Sequence, residues 1–253
     1  MAERSERRAA LVTGASYGIG GATAVGLAED GFDVAVTDLR TGDLSDTIAK
    51  IAALGLRAVP IALDVRLQES VEQAFRQALA AFGRLDVLVN NAGVPSPGKP
   101  AVDLTRSEWE TIQAVNLTGV FFMTQQIGRY LIAAQRPGAI VSVASTHGIV
   151  GFAGASAYGI AKAGVSHMTK MLAIEWAPHG ICVNAIAPGT TETKSRAPRL
   201  AIPEHRERML SRIPLGRFGI AEEMAAAIRY LVSPQASYVT GHTLVLDGGL
   251  TVG

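Results

Sequence analysis

The sequence contains one cysteine, Cys182. A lone thiol supports neither an intramolecular disulfide nor a cysteine zinc site. Its setting, "GICVNAIA", predicts a small buried hydrophobe. Charge of one sign is also scarce: 23 basic against 22 acidic residues give a formal net charge of +1. Such a balance provides no field to draw the chain to nucleic acid or to an anionic membrane. No apolar run reaches the roughly 20 residues needed to cross a bilayer. The charged start, "MAERSERRAA", meets a strand-like "ALVTG" with no apolar stretch of signal-peptide length. These absences predict a cytoplasmic protein without nucleic-acid or membrane partners. Neither H-E-x-x-H nor paired cysteines occur, so no metal is expected. "GASAYG" at 154–159 is not the G-x-S-x-G elbow of a serine hydrolase.

Apolar residues, by contrast, make up 48% of the 253 positions, enough for one large core. Nearly continuous apolar runs at 9–14, 33–38, 57–64, 85–90, 138–145, 181–188 and 243–248 read as strands buried on both faces. Helical patterns lie between them near 19–30, 43–54, 67–82, 106–135, 157–177 and 221–233. Such alternation predicts an α/β fold with a parallel sheet of about seven strands and right-handed crossovers. Pro60 cannot donate to a sheet ladder, so the third run belongs at an edge or early in a strand. No linker divides residues 1–253, which predicts a single domain. The one long irregular stretch, 188–219, follows the sixth strand and is expected to be a substrate-binding loop.

"T13-G-A-S-Y-G-I-G20" follows the first strand and opens a helix. Gly14, Gly18 and Gly20 let the backbone turn tightly beside a pyrophosphate, and Ser16, Tyr17 and Ile19 ride on the same turn. The helix N-terminus supplies N–H donors and a positive dipole. Asp38 ends the second strand, where a carboxylate accepts hydrogen bonds from both adenosine ribose hydroxyls and repels a 2′-phosphate. NAD is therefore expected over NADP, with nearby Arg40 softening the preference. Asp64 ends the third strand and is placed either to accept from the adenine amino group or to cap a helix. "N90-N-A-G93" ends the fourth, bringing Asn91, Ala92 and Gly93 close to the cofactor or forming an ordinary turn.

"Y158-G-I-A-K162" places a phenol and an ammonium one helical turn apart, on one face. With "TGASYGIG", Asp38, Asp64, "NNAG", Asn116, Ser145 and "PGTTET" (188–193) in order along nearly the whole chain, the sequence resembles the short-chain dehydrogenase/reductase family. The resemblance implies a doubly wound Rossmann-like domain, nicotinamide hydride transfer and a homotetramer. It also implies that Tyr158 is the acid/base, Lys162 its electrostatic partner, Ser145 the binder of the substrate oxygen and Asn116 part of a proton relay through a water. Val65, Pro188, Gly189, Thr191 and Thr193 join the implied cofactor contacts.

A free tyrosine titrates near ~10, too high for a base at neutral pH. An ammonium ~4 Å away at an effective dielectric of ~20 favours the phenolate by about 4 kcal/mol, opposed by desolvation. A net lowering of the Tyr158 pKa is therefore expected. His147 is expected to face the substrate, with Pro95, Ser96 and Phe152 as further wall residues. Lys194, Arg196, Arg199, Arg206, Arg208 and Arg212, against Glu204 and Glu207, form either a solvated face or a reader of acidic substrates.

The leading reading is an NAD-dependent dehydrogenase acting on a small-molecule secondary alcohol or ketone, with sugars and polyols among the candidates. An NADPH-dependent 3-oxoacyl-carrier-protein reductase fits less well. Asp38 argues against it, and Ile174 precedes Glu175 where those reductases tend to carry an arginine. A cofactor sensor without turnover is the alternative from another class. It has no need of the Tyr158–Lys162 pair.

Overall fold

The computed structural model describes residues 7–252. Residues 1–6, the larger part of the charged start, lie outside the described residues, as do Gly253 and the side chain of Arg199. The chain runs β1 (Ala9–Thr13), α1 (Gly18–Glu29), β2 (Asp33–Asp38), α2 (Ser45–Ala53), β3 (Ala58–Ala62), α3 (Gln68–Phe82) and β4 (Val87–Asn90). It continues through α4 (Arg106–Gln113), α5 (Val120–Ala133), β5 (Gly138–Val143), α6 (Ser156–Trp176), β6 (Ile181–Pro188), β7 (Thr191–Glu192), α7 (Ala197–Leu200) and α8 (Pro203–Leu210). It closes with β8 (Gly219–Ile220), α9 (Ala221–Val232) and β9 (Thr243–Leu246).

Seven strands form one parallel sheet in the order β3-β2-β1-β4-β5-β6-β9. Successive residues of a strand point to opposite faces. Ala9 and Leu11 of β1 accordingly pack with Phe75, Ile127 and Leu131 of α3 and α5. Ala10 and Val12 pack with Leu27, Ile51 and Ile228 of α1, α2 and α9. Both faces are covered, which is why the strand runs are apolar throughout. Each fully buried Leu or Ile contributes roughly 1.5–3 kcal/mol. Strand order reverses between β1 and β4, opening a crevice at their carboxyl ends.

Pro60 lies in β3, at the sheet edge as expected. Arg57 accepts from the Val34 N–H and Leu63 donates to Asp38, so odd-numbered residues carry the bonds to β2. Pro60 therefore points its missing donor outward, where no ladder bond is lost.

Three local features differ from the sequence reading. The helical pattern at 106–135 is interrupted by a π-helical turn, Ala114–Gly119. There Gly119 passes so close to β3's exit that an added Cβ would lie 2.8 Å from the Val65 carbonyl oxygen. The 188–219 stretch is more ordered than a loop, since β7 and β8 pair in parallel and bracket α7 and α8. Leu200, Ile213 and Phe218 seal this excursion against Leu250, with Phe152 packed beside them. Cys182 is half-buried rather than buried, because its side chain faces the last turn before β9, with Sγ 3.9 Å from the Ser237 carbonyl oxygen. Among the described residues, no helix is long and apolar enough to cross a membrane.

Candidate active site

The glycine-rich turn is built by main-chain strain that only glycine relieves. Gly14 and Gly18 take φ of +64° and +59°, a left-handed region costly for other residues. Asn91 pins this turn from the end of β4, donating from Nδ2 to the carbonyls of Thr13 (3.0 Å) and Gly14 (2.9 Å). Thr13 Oγ1 in turn accepts the N–H groups of Asn91 and Ala92, both at 2.9 Å. Helix α1 starts at Gly18 with no side-chain cap on its first N–H groups and no acidic residue in its first turn. It thus presents unpaired donors and a positive dipole end to the crevice. At a side chain's distance, Asp38 accepts from Ser16 Oγ (2.5 Å) and from the Leu39 N–H (2.8 Å). Arg40 turns away, pairing with Asp43 at 3.0 Å. Asp64 is clamped by Arg66 (2.6 Å), which holds its carboxyl below the usual range. Helix α3 begins later, after Leu67, so Asp64 does not cap it.

At the other end of the crevice, Ser145 follows β5 and is buried, while Tyr158 and Lys162 come from the first two turns of α6. The Ser145 hydroxyl accepts the His147 N–H at 3.2 Å, lies 3.3 Å from His147 Nδ1, and favours the Tyr158 phenolate as a hydrogen-bonding neighbour. Glycines set this spacing. A Cβ on Gly148 would lie 2.6 Å from the Ala163 nitrogen, and one on Gly159 2.7 Å from the His147 carbonyl oxygen. The turn after β5 thus rests directly on the backbone of α6.

Lys162 is buried, donates to the Val143 carbonyl at 2.7 Å and stands 5.7 Å from the centre of the Tyr158 ring. Burial pushes its pKa down to about 8. The expected net lowering at Tyr158 is not found: burial raises its pKa, outweighing the favourable charge of Arg196 and the Ser145 hydrogen bond. The ammonium is held against a carbonyl, so desolvation dominates the phenol. Asn116 sits in the π-helical turn with both amide atoms on Val94, Oδ1 accepting its N–H (3.1 Å) and Nδ2 donating to its carbonyl (3.0 Å).

One cleft of about 490 Å³ joins these two ends, a size typical of ligand sites. It gathers Gly14, Ser16, Tyr17, Gly18, Ile19, Asp38, Asp64, Val65, Asn91, Ala92, Gly93, Asn116, Ser145, Tyr158, Lys162, Pro188, Gly189, Thr191 and Thr193. Gly20 stands back, its α-carbon packed against the Gly14 carbonyl. His147 also lies outside the cleft lining, its ring 5.6 Å from Tyr158 and 4.2 Å from Phe152. Pro95 lines the cleft, whereas Ser96 is turned to the Gly154 carbonyl at 2.8 Å. The sequence reading missed Thr13, Arg66 and Ala144 as lining residues, and Gly148 and Gly159 as spacers. Of these, Thr13 and Gly159 stand inside the quoted "T13-G-A-S-Y-G-I-G20" and "Y158-G-I-A-K162". The cleft suits a dinucleotide: uncapped donors for a pyrophosphate, glycines where a side chain would intrude, and a carboxylate at the strand-end position for a ribose.

A family model described as enoyl-(acyl carrier protein) reductase matches residues 14–251. The chain is 41% identical over 250 residues to a 3-oxoacyl-acyl-carrier-protein reductase of Thermotoga maritima, covering 98% of this chain and all of that one. It is 42% identical over 252 residues to cis-4-hydroxycyclohexanecarboxylate dehydrogenase of Sinomonas cyclohexanicum, covering 99% of each. A solved structure from Agrobacterium tumefaciens, provisionally described as a 2-deoxy-d-gluconate 3-dehydrogenase and holding NADP, superposes with a TM-score of 0.91. That protein is 37% identical, over the full length of both chains.

Proposed function

Because the chain belongs to the short-chain dehydrogenase/reductase family, and so is an oxidoreductase acting on CH–OH and C=O groups, we propose that it exchanges a hydride between NAD(H) and a secondary alcohol or ketone. Tyr158 is its acid/base in this reading. The observation that carries the reading is one cleft joining the glycine-rich turn and Asp38 to Ser145, Tyr158 and Lys162. A nicotinamide held along the glycine-rich turn and Asp38 would supply the hydride acceptor for alcohol oxidation, with ketone and one proton as the other products, or the hydride donor for the reverse reduction.

The chain's own groups manage the oxygen and that proton. Ser145 holds the substrate oxygen by hydrogen bonding. The Tyr158 phenolate accepts the alcohol's proton, or the phenol returns it in reduction. Lys162 keeps an ammonium 5.7 Å from the Tyr158 ring centre and would be the residue to hold the nicotinamide ribose. Since its amide is spent on Val94, Asn116 serves the relay through its main chain. The 188–219 excursion covers the substrate, with Thr191 and Thr193 at the nicotinamide end.

The preference for NAD rests on Asp38, oriented by Ser16 and Leu39, with Arg40 turned to Asp43 and Tyr17 offering no cation. Bound NADP in the Agrobacterium structure points the other way for that protein. The Sinomonas relative's named substrate, an alicyclic hydroxy acid, supports a secondary alcohol. The Thermotoga relative favours a second reading, NADPH-dependent reduction of 3-oxoacyl carrier protein. Exposed Phe121 and Phe122 on α5, and Ile160, Met171 and Ile174 on α6, support a homotetramer.

The test is reduced-nicotinamide formation with NAD⁺ and NADP⁺ in parallel, over alcohols, polyols, sugars and hydroxy acids, with Tyr158→Phe as the blank. Turnover with NAD⁺, lost in the blank and shifted toward NADP⁺ by Asp38→Ala, is expected. Turnover with NADP⁺ alone overturns the role of Asp38 and favours the acyl reductase. Cofactor binding with silence across both panels favours the sensor.

A further inference from the structure

Resting on that hydride-transfer reading, we propose that the substrate is an anion: a hydroxy acid, or its oxo acid, whose carboxylate is bound by Arg196. Arg196 is anchored by its backbone, its N–H donating to Thr193 and its carbonyl accepting from Leu200, both at 3.0 Å. Its half-buried side chain lines the cleft with Ser145 and Tyr158. It has no carboxylate partner among the described residues. Neighbouring charges on the excursion are otherwise engaged. Arg206 pairs with Glu192 at 3.3 Å, Arg208 meets His205 at 3.1 Å, and the field of Lys194 falls on Asp46. A guanidinium taken partly out of water without a counter-ion is a costly arrangement, and a carboxylate matches its planar fork.

Behind the lining, His147 lies between Tyr158 and Phe152, and the guanidinium of Arg212 lies 4.9 Å above the Phe152 ring, adding one more positive charge near this end. The cleft's two lining carboxylates, Asp38 and Asp64, sit beyond the glycine-rich turn and are already held by Ser16 and Arg66. The tyrosine end therefore carries Lys162 and Arg196 with no lining carboxylate, so an anion entering there is attracted and an extra cation repelled.

The experiment compares hydroxy acids with their primary amides, using 3-hydroxybutyrate, 4-hydroxycyclohexanecarboxylate and gluconate, in wild type, Arg196→Ala and Arg196→Lys. The full chain is used with NAD⁺ and NADP⁺. The expected result is a preference for carboxylate over amide in kcat/KM that collapses by about 10- to 100-fold in Arg196→Ala, chiefly through KM. Partial recovery is expected in Arg196→Lys. Wild-type preference for the amide, or an equal loss on both forms, overturns the proposal. A raised Kd for NADH in Arg196→Ala with the preference intact gives the arginine to a cofactor phosphate and overturns it too. If nothing is oxidised, the hydride-transfer reading fails by itself. The anion site is then read by calorimetry of the NADH complex with cyclohexanecarboxylate against its amide: carboxylate-selective heat lost in Arg196→Ala supports the site, and no such heat overturns it.

Discussion

At the scale of single residues, Tyr158 is governed by opposing influences whose balance differs from the sequence reading. An ammonium four residues from the phenol on a helix suggested a lowered phenol pKa. Burial wins instead, and the helpful charge comes from Arg196 across the cleft. That partner was not legible as such, since spacing reports neighbours on one helix and not a side chain brought in from 38 residues downstream. The sign of its effect is testable. A cation lowers the phenol's pKa, so removing it raises that pKa further. Arg196→Ala is expected to move the rise of kcat/KM for alcohol oxidation to higher pH, whichever alcohol is used, and a profile unmoved along the pH axis would remove the electrostatic link.

At the scale of elements, strand cores were readable because burial on both faces leaves little room for polar residues. Asp33–Asp38 and Ile181–Pro188 match the expected spans; the fourth run ends at Asn90 as expected but begins two residues late, and the rest end one or two residues early. Asp64 and Ser145, at two of those shortened ends, leave the ladder to line the cleft, as Asn91 does just past β4. The π-helical turn was not legible, because its cause is tertiary: Asn116 bonding Val94 and Gly119 meeting Val65. The same holds for the contact between the 146–148 turn and α6, which fixes Ser145 relative to Tyr158. Gly159→Ala is expected to cost about 1–3 kcal/mol by overpacking. It should also lower kcat more than it weakens NADH binding, since the glycine-rich turn is remote from it. Denaturation and NADH fluorescence titration check the two parts; unchanged kcat with lost stability would make the spacer purely structural.

At the scale of the whole molecule, the buried lysine leaves a trace in stability. With its folded value near 8 against an ordinary 10.5, Lys162 is charged in both states below pH 8, where the burial cost is felt in full. Between those values the unfolded chain binds more protons, so stability rises with pH, by at most on the order of 3 kcal/mol. Tyr158, held above its usual value, works in the opposite direction above about pH 10. Urea denaturation from pH 7 to 10 is expected to show the rise in wild type and a flatter course in Lys162→Met; parallel curves would remove it. Static light scattering is expected to give four times 26.4 kDa, and a monomer mass would refute the assembly.

The outward-facing Pro60 also bears on the chain while it is still folding. An exposed parallel edge is a template on which a second chain can add a strand, and folding intermediates are most at risk. With no donor at the middle of β3, that template is interrupted at its centre, while the opposite edge, β9, carries no proline. The sheet is therefore one-sided as an adhesive, guarded along β3 and receptive along β9. Pro60→Thr would be expected to keep the fold and lower the yield of soluble refolded protein.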